Sequence, residues 1–158
     1  AERGQWQGYE AGGVFLIDTP GINEVDGEAR EALAREVAGR ADLVLFVVDA
    51  DLTETEIRAL REIAALHRPI LLVLNKADRY SPAEQEALLA SLARHAQGVV
   101  DKSNIVTASA DPAERLVIRV NDDGKEQEEW RRPPVDVSRV KERLWDILQS
   151  EGQTLAAL

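Results

Sequence analysis

The stretch Val14-Phe15-Leu16-Ile17-Asp18-Thr19-Pro20-Gly21 decides how the rest of the chain is read. Four consecutive apolar residues closed by a turn signal suit a buried strand of a parallel sheet. An aspartate at the carboxyl end of such a strand projects into the crevice where open α/β sheets bind ligands. A glycine three residues later leaves a backbone N–H that a phosphate can approach closely. A strand followed by an ordinary Asp/Pro/Gly turn fits the same letters, so this word alone leaves both readings open.

A second word separates them. Val73-Leu74-Asn75-Lys76-Ala77-Asp78 again closes an apolar run. A carboxylate two residues after the lysine can accept two hydrogen bonds from the N1–H and exocyclic amine of guanine, but would face acceptor lone pairs on adenine. The two words, in this order and both at strand ends, resemble the GTPases of the P-loop class, particularly the Era-like branch of the translation-factor-related group. The family's GxxxxGK[ST] phosphate loop precedes the first word and is absent from these 158 residues. The resemblance therefore implies an α/β three-layer fold, mostly parallel with an antiparallel edge strand, lacking its central first strand and first helix. It implies GTP or GDP with Mg²⁺ as ligands, with Asp18 holding the metal through water and Gly21 bonding the γ-phosphate. Asn75, Lys76 and Asp78 would select guanine. Ala108-Ser109-Ala110 resembles the family's Ser-Ala word, in which Ala110 offers its N–H to guanine O6 and Ser109 supports the loop.

Composition narrows the alternatives. With 29 acidic against 19 basic residues the formal charge is −10, which argues against an electrostatic grip on nucleic acid or an anionic membrane by this segment. There is no cysteine, so disulfides, thiolate metal sites and cysteine nucleophiles are excluded, as fits a cytoplasmic protein. No apolar stretch reaches transmembrane length, and the first residues carry no signal-peptide pattern.

In chain order, Gln5 to Tyr9, then Gly12-Gly13 and the Val14 strand, reads as a hairpin, with Trp6 and Tyr9 as packing residues. Ile22 to Gly27 is a polar loop that resembles the second switch segment, the surface an effector or regulatory protein would read. Ile22 stands where Ras-type members place a water-orienting glutamine, and it can do neither acid nor base chemistry. Asn23 and Glu24 are the nearest polar side chains, most simply explained as loop polarity, and no catalytic residue is assigned. Ala29, Leu33 and Val37 mark a helix over Glu28 to Ala41, and Leu43 to Val48 a buried strand. Asp49 and Asp51 invite a metal reading, but Thr53-x-x-Glu56 is a capping box, and acids before a helix favour its dipole. That helix would bury Ile57, Leu60, Ile63 and Leu66 and stop at His67-Arg68-Pro69. Ser81-Pro82-Ala83-Glu84 starts another, with Leu88, Leu89, Leu92 and Ala96 buried and Gly98 ending it. His67 and His95 have no partner motif and read as structural. Asn104 to Thr107 is the last core strand.

Beyond the minimal domain, residues 116–132 read as a hairpin turning at Asn121-Asp122-Asp123-Gly124, with Trp130 near its base. A final helix follows over about 137–150, capped by Asp136 or Ser138. The hairpin looks like a bacterial branch of Era-like GTPases that carry a C-terminal, membrane-associated helical domain. Residues 1–152 are thus expected to form a partial GTPase domain, and 153–158 to open a further segment through which the whole protein could sit at the inner membrane. The expected function is the guanine-nucleotide-binding portion of a GTPase switch, the alternative being a pseudo-GTPase or interaction module without nucleotide chemistry. An ATP-using enzyme ranks last, because Asp78 would oppose adenine. The family's sheet order places the absent strand between Val14–Asp18 and Leu43–Val48. Those neighbours would lie about 9.6 Å apart, twice the inter-strand spacing, leaving Leu16, Leu45 and Val47 uncovered.

Overall fold

The computed structural model describes residues 3–5, 15–22 and 26–156. Its organising element is the strand Ile70–Leu74, five apolar residues of which each is buried, none above 4% exposed. A strand buried on both faces must lie mid-sheet, and it pairs in parallel with Val44–Val48 on one side and Ile105–Thr107 on the other. Alternate side chains then face two different layers. Ile70, Leu72 and Leu74 enter a cluster with Phe46, Leu60, Ile63 and Leu92, whereas Leu71 and Val73 enter a second with Ala108, Leu144 and Ile147.

Taken in chain order, the elements are β1 (Arg3–Gln5), β2 (Phe15–Ile17), α1 (Gly27–Arg40), β3 (Val44–Val48), α2 (Glu54–Ala65), β4 (Ile70–Leu74), α3 (Pro82–His95), β5 (Ile105–Thr107), β6 (Arg115–Val120), β7 (Glu126–Arg131) and α4 (Ser138–Ala156). Helices α1, α2 and α3 cover the first face of β3-β4-β5, and α4 covers the second. The fold class is as expected: a partial three-layer α/β domain with a parallel sheet and an antiparallel strand pair.

Both capping boxes form. Thr53 accepts from the Glu56 N–H while Glu56 accepts from the Thr53 N–H at 2.8 Å; Ser81 and Glu84 do the same, with Pro82 at the first helical position. Some burial expectations need correction. On α1 the buried line is Ala34 and Ala38, flanked by Leu33 and Val37, while Ala29 is exposed, and the helix packs mainly against α2. On α2, Leu66 falls beyond the last turn and is 43% exposed, and His67 turns the chain with φ 55°. The final helix is longer than expected, running without interruption through Gly152 to Ala156.

The first word folds differently from the second. β2 pairs antiparallel with β1 in the register Gln5↔Phe15, so among the described residues its partner strand is Arg3–Gln5, and Gln5 alone of the expected Gln5 to Tyr9 strand is described. The expected glycine turn, Trp6 and Tyr9 lie outside the described residues, as do Asn23 and Glu24. Among the described residues no backbone ladder joins β2 to β3, and the sheet order breaks there as expected. Leu16 is 45% and Val47 56% exposed. Leu45 departs from the expectation: it is partly buried and packs against the second cluster, to which α4 contributes Leu144 and Ile147.

Candidate functional site

The polar word after β4 is held by backbone bonds to both neighbouring strands. The Asn75 N–H donates to Val48 O at 2.7 Å, and the Ala108 N–H, just past β5, donates to Leu74 O at 2.8 Å. Lys76 adopts φ 57°, ψ 30°, a left-handed conformation that costs a non-glycine residue roughly 1–2 kcal/mol. It reverses the chain into the 3-10 turn Ala77–Arg79, whose first N–H donates to Ala108 O at 3.0 Å. Gln85 of α3 braces the turn from below, donating from Nε2 to Ala77 O and Tyr80 O at 2.8 and 3.2 Å. Strain of this kind persists only where the surroundings over-determine it, and here they do.

Four sequence-predicted residues are drawn together. The Asp78 N–H donates to Ser109 Oγ at 3.1 Å, and the Ala110 N–H donates to Asn75 Oδ1 at 3.1 Å, so the two words cross-link. Lys76 Nζ meets Asp49 Oδ2 at 2.6 Å, and Tyr80 Oη donates to Asp49 O at 2.6 Å. The bond from Lys76 and its charge hold the Asp49 carboxyl below the usual carboxylate range. The Asp78 side chain is only 10% exposed, and a guanidinium nitrogen of Arg115, at the foot of β6, lies 3.6 Å from its Oδ2. A hollow of about 150 Å³ opens beside Asp78 and Ser109, lined also by Gln85, Thr107 and Asp136. That is below the roughly 300 Å³ at which small-molecule pockets begin, so the hollow is not itself a nucleotide cradle.

Three partners were not foreseen in the sequence. Asp49, which by sequence only complements the dipole of α2, bonds Lys76 across the strand ends. Asp136, read only as a cap, accepts from the Ser138 N–H and Oγ and also exchanges backbone bonds with Ser109, at 2.8 and 3.0 Å, fixing the Ser-Ala loop to the start of α4. Arg115 carried no signal at all. A fourth, structural, link joins α3 to the turn after β3: Asp51 accepts from Ser91 Oγ at 2.6 Å and faces His95 Nδ1 at 3.2 Å. Burial pushes the Asp51 carboxyl up, but bonds from Ser91, the Leu52 N–H and His95 outweigh it and leave it below its ordinary value. Asp49 and Asp51 therefore serve as local bonding partners, and among the described residues no group of three or more acidic or histidine side chains could hold a metal.

Asp18 and Gly21 stand apart from these contacts. Both are exposed in the segment that follows β2, and Ile22 is partly buried against the first cluster. Nucleotide-bound Mg²⁺ takes one or two carboxylates together with phosphates and waters, and Asp18 can lend one such carboxylate. No helix of the described residues is long and apolar enough to cross a membrane.

Residues 1–76 match the family model described as 50S ribosome-binding GTPase, a match that spans the Asp-Thr-Pro-Gly word and ends at Lys76. The chain is 32% identical over 96 residues to a probable transmembrane GTPase, FZO-like and chloroplastic, of Arabidopsis thaliana, covering 59% of this chain and 10% of that protein. It is 40% identical over 79 residues to the tRNA modification GTPase MnmE of a Synechococcus strain, covering 48% and 17%. It is 29% identical over 102 residues to GTPase Era of Ruminiclostridium cellulolyticum, covering 61% and 33%. Each of these likenesses is to a GTPase, and the family model matches just under half of the chain. The chain spans between a tenth and a third of the length of those three relatives. No solved structure matches it.

Proposed function

We propose that this chain is the guanine-recognising portion of a GTP-hydrolysing switch. The observation that carries the reading is the cross-linked pair of loops after β4 and β5, which presents Asp78 on a turn braced by Ser109, Asn75 and Gln85. In this reading the Asp78 carboxylate accepts from guanine N1–H and the exocyclic amine, and the aliphatic stem of Lys76 lies along the base. Asn75 and Ser109 hold the geometry. The Ala110 N–H, donated to Asn75 Oδ1 in this structure, would turn to guanine O6. Asp18 would hold Mg²⁺, whose contribution when bound is to neutralise phosphate charge, and Gly21 would offer its N–H to the γ-phosphate. An effector or regulatory protein would read Ile22 to Gly27. The finer assignment to the Era-like branch, with a membrane-associated C-terminal domain and a cytoplasmic catalytic face, rests on the hairpin at 115–131 and on the likeness to Era among several GTPases.

The test is nucleotide competition on the intact protein. GTP and GDP should displace a bound guanine nucleotide where ATP does not. Asp78→Asn should shift preference toward xanthine nucleotides, whose extra carbonyl can accept from the amide. Equal affinity for guanine and adenine nucleotides in the parent would overturn the reading. Residues 1–158 alone, without a phosphate cradle, should bind GDP more weakly than about 10 μM, because backbone N–H groups on the phosphates supply most of the affinity in this class.

A further inference from the structure

The hairpin β6–β7 projects from the domain with each of its twelve strand residues exposed, yet four of the six residues of β6 are large and apolar. Its register sorts these side chains onto two unlike faces. Leu116↔Trp130, Ile118↔Glu128 and Val120↔Glu126 share one face; Arg115↔Arg131, Val117↔Glu129 and Arg119↔Gln127 share the other. The second face is mainly basic, and its foot is turned to the domain, since Arg115 reaches Asp78. The first face carries an apolar row on β6, with Leu116 42%, Ile118 54% and Val120 66% exposed, and Trp130 opposite at 68%. Beside that row, β7 presents Glu126 and Glu128, and the turn adds Asp122 and Asp123. An isolated two-stranded ribbon is marginal in water, and an apolar row of this kind on it is a cost that burial against a partner would remove.

We propose that the Leu116–Ile118–Val120–Trp130 face is a docking surface for a protein segment of basic amphipathic character, one that sets apolar residues on the β6 row and lysine or arginine against Glu126 and Glu128. Charge selects the occupant. Carboxylates bordering an apolar row attract a cationic segment and repel an anionic lipid surface, and the net charge of −10 acts in the same sense. A second copy of this chain, equally acidic, would be repelled overall. The surface lies outside the residues assigned to guanine and magnesium, so the proposal stands whether or not the nucleotide reading does.

A fluorescein-labelled peptide of alternating valine and lysine, and its valine–glutamate counterpart, test this by anisotropy against residues 1–158 at physiological salt. The lysine peptide should bind and the glutamate peptide should not. Ile118→Asp with Val120→Asp should weaken the lysine peptide by about tenfold or more, as loss of central apolar contacts does. Should those changes unfold the hairpin, Glu126→Lys with Glu128→Lys keeps the apolar row and should transfer preference to the glutamate peptide. Equal binding of both peptides, binding of neither, or preferences unmoved by the charge reversal would overturn the proposal. So would uptake of the parent by phosphatidylglycerol vesicles, or self-association abolished by Ile118→Asp, which would name a membrane or a second copy as the occupant.

Discussion

Two strands of this chain end in a polar word of the same design, and the structure treats them differently. β4 has a strand on each side and a helix layer on each face, and its word after Leu74 is tied to Val48, Ala108, Ser109 and Gln85. β2 has one described strand partner, three residue pairs long, and its word, Asp18 to Gly21, is mainly exposed. A motif of this class is therefore only as rigid as the sheet that delivers it. The word after β4, proposed to recognise the base, is built into the core, whereas the word after β2, proposed to face the phosphates, hangs on an edge pair beside the unladdered side of β3.

The largest contrast should come from matched deletions in the two strands. Leu72 has no exposed surface, and Leu72→Ala should cost about 2–5 kcal/mol, the range for emptying a core leucine site. Leu16→Ala, at a position 45% exposed, should fall within roughly 0.5 kcal/mol of the parent. Urea unfolding of both variants decides it. Equal losses would mean that β2 is as deeply integrated as β4.

Much of this difference was visible in the residues. Five uninterrupted apolar residues at 70–74 announce a two-faced strand, and Thr53-x-x-Glu56 and Ser81-Pro82-Ala83-Glu84 announce two helix starts, because these are local rules satisfied within a few residues. The break between β2 and β3 was expected from the resemblance alone, whose sheet order sets another strand between them. The site's cross-links were less legible. Asp49 meets Lys76 across 27 residues, Ser109 meets Asp136 by backbone alone, and Arg115 reaches Asp78 only because the hairpin is set where it is. Such contacts depend on register and on loop closure, which no periodicity records. The α1 stripe was misread for another reason: alanines are the buried residues there, and alanine carries little hydropathic signal.

A second, smaller effect probes the cross-links themselves. Ser109→Ala removes the acceptor for the Asp78 N–H and should cost about 1 kcal/mol, a typical net hydrogen bond. Asn75→Ala frees the Ala110 N–H at similar cost. Because both bonds close the same pair of loops, the double variant should lose less than the sum of the two. Strict additivity in a double-mutant cycle would show that the loops are held independently.

Next in size is the free side of β3. Val47 is 56% exposed on the face that α4 covers elsewhere, beside a strand edge with no described partner, an arrangement that favours edge-to-edge association; Val47→Lys should leave stability within about 0.5 kcal/mol while lowering any such association. Sedimentation velocity across a concentration series reads this directly. Unchanged association would show that the open side of β3 is not the surface through which copies meet.

The smallest effect concerns Asp49 and Lys76, and pH isolates it. The Asp49 carboxyl is held below its ordinary value by the bond from Lys76, so between the folded and unfolded values the unfolded chain binds more protons and stability rises with pH. The pair's contribution is complete above the unfolded value near 3.9 and is lost as pH falls through the lower folded one. The two side chains are 39% and 56% exposed, so solvent screening limits that contribution to on the order of 0.5 kcal/mol. Lys76→Met should therefore be less stable than the parent by that margin at neutral pH, with the gap closing in acid. Asp51, Glu84 and Asp136 are also held low, and their protonation will destabilise both proteins together. Only the difference between the two urea curves reports on Lys76. A gap that stays constant into acid would assign the effect of the substitution to the left-handed turn at residue 76 instead of to its ion pair.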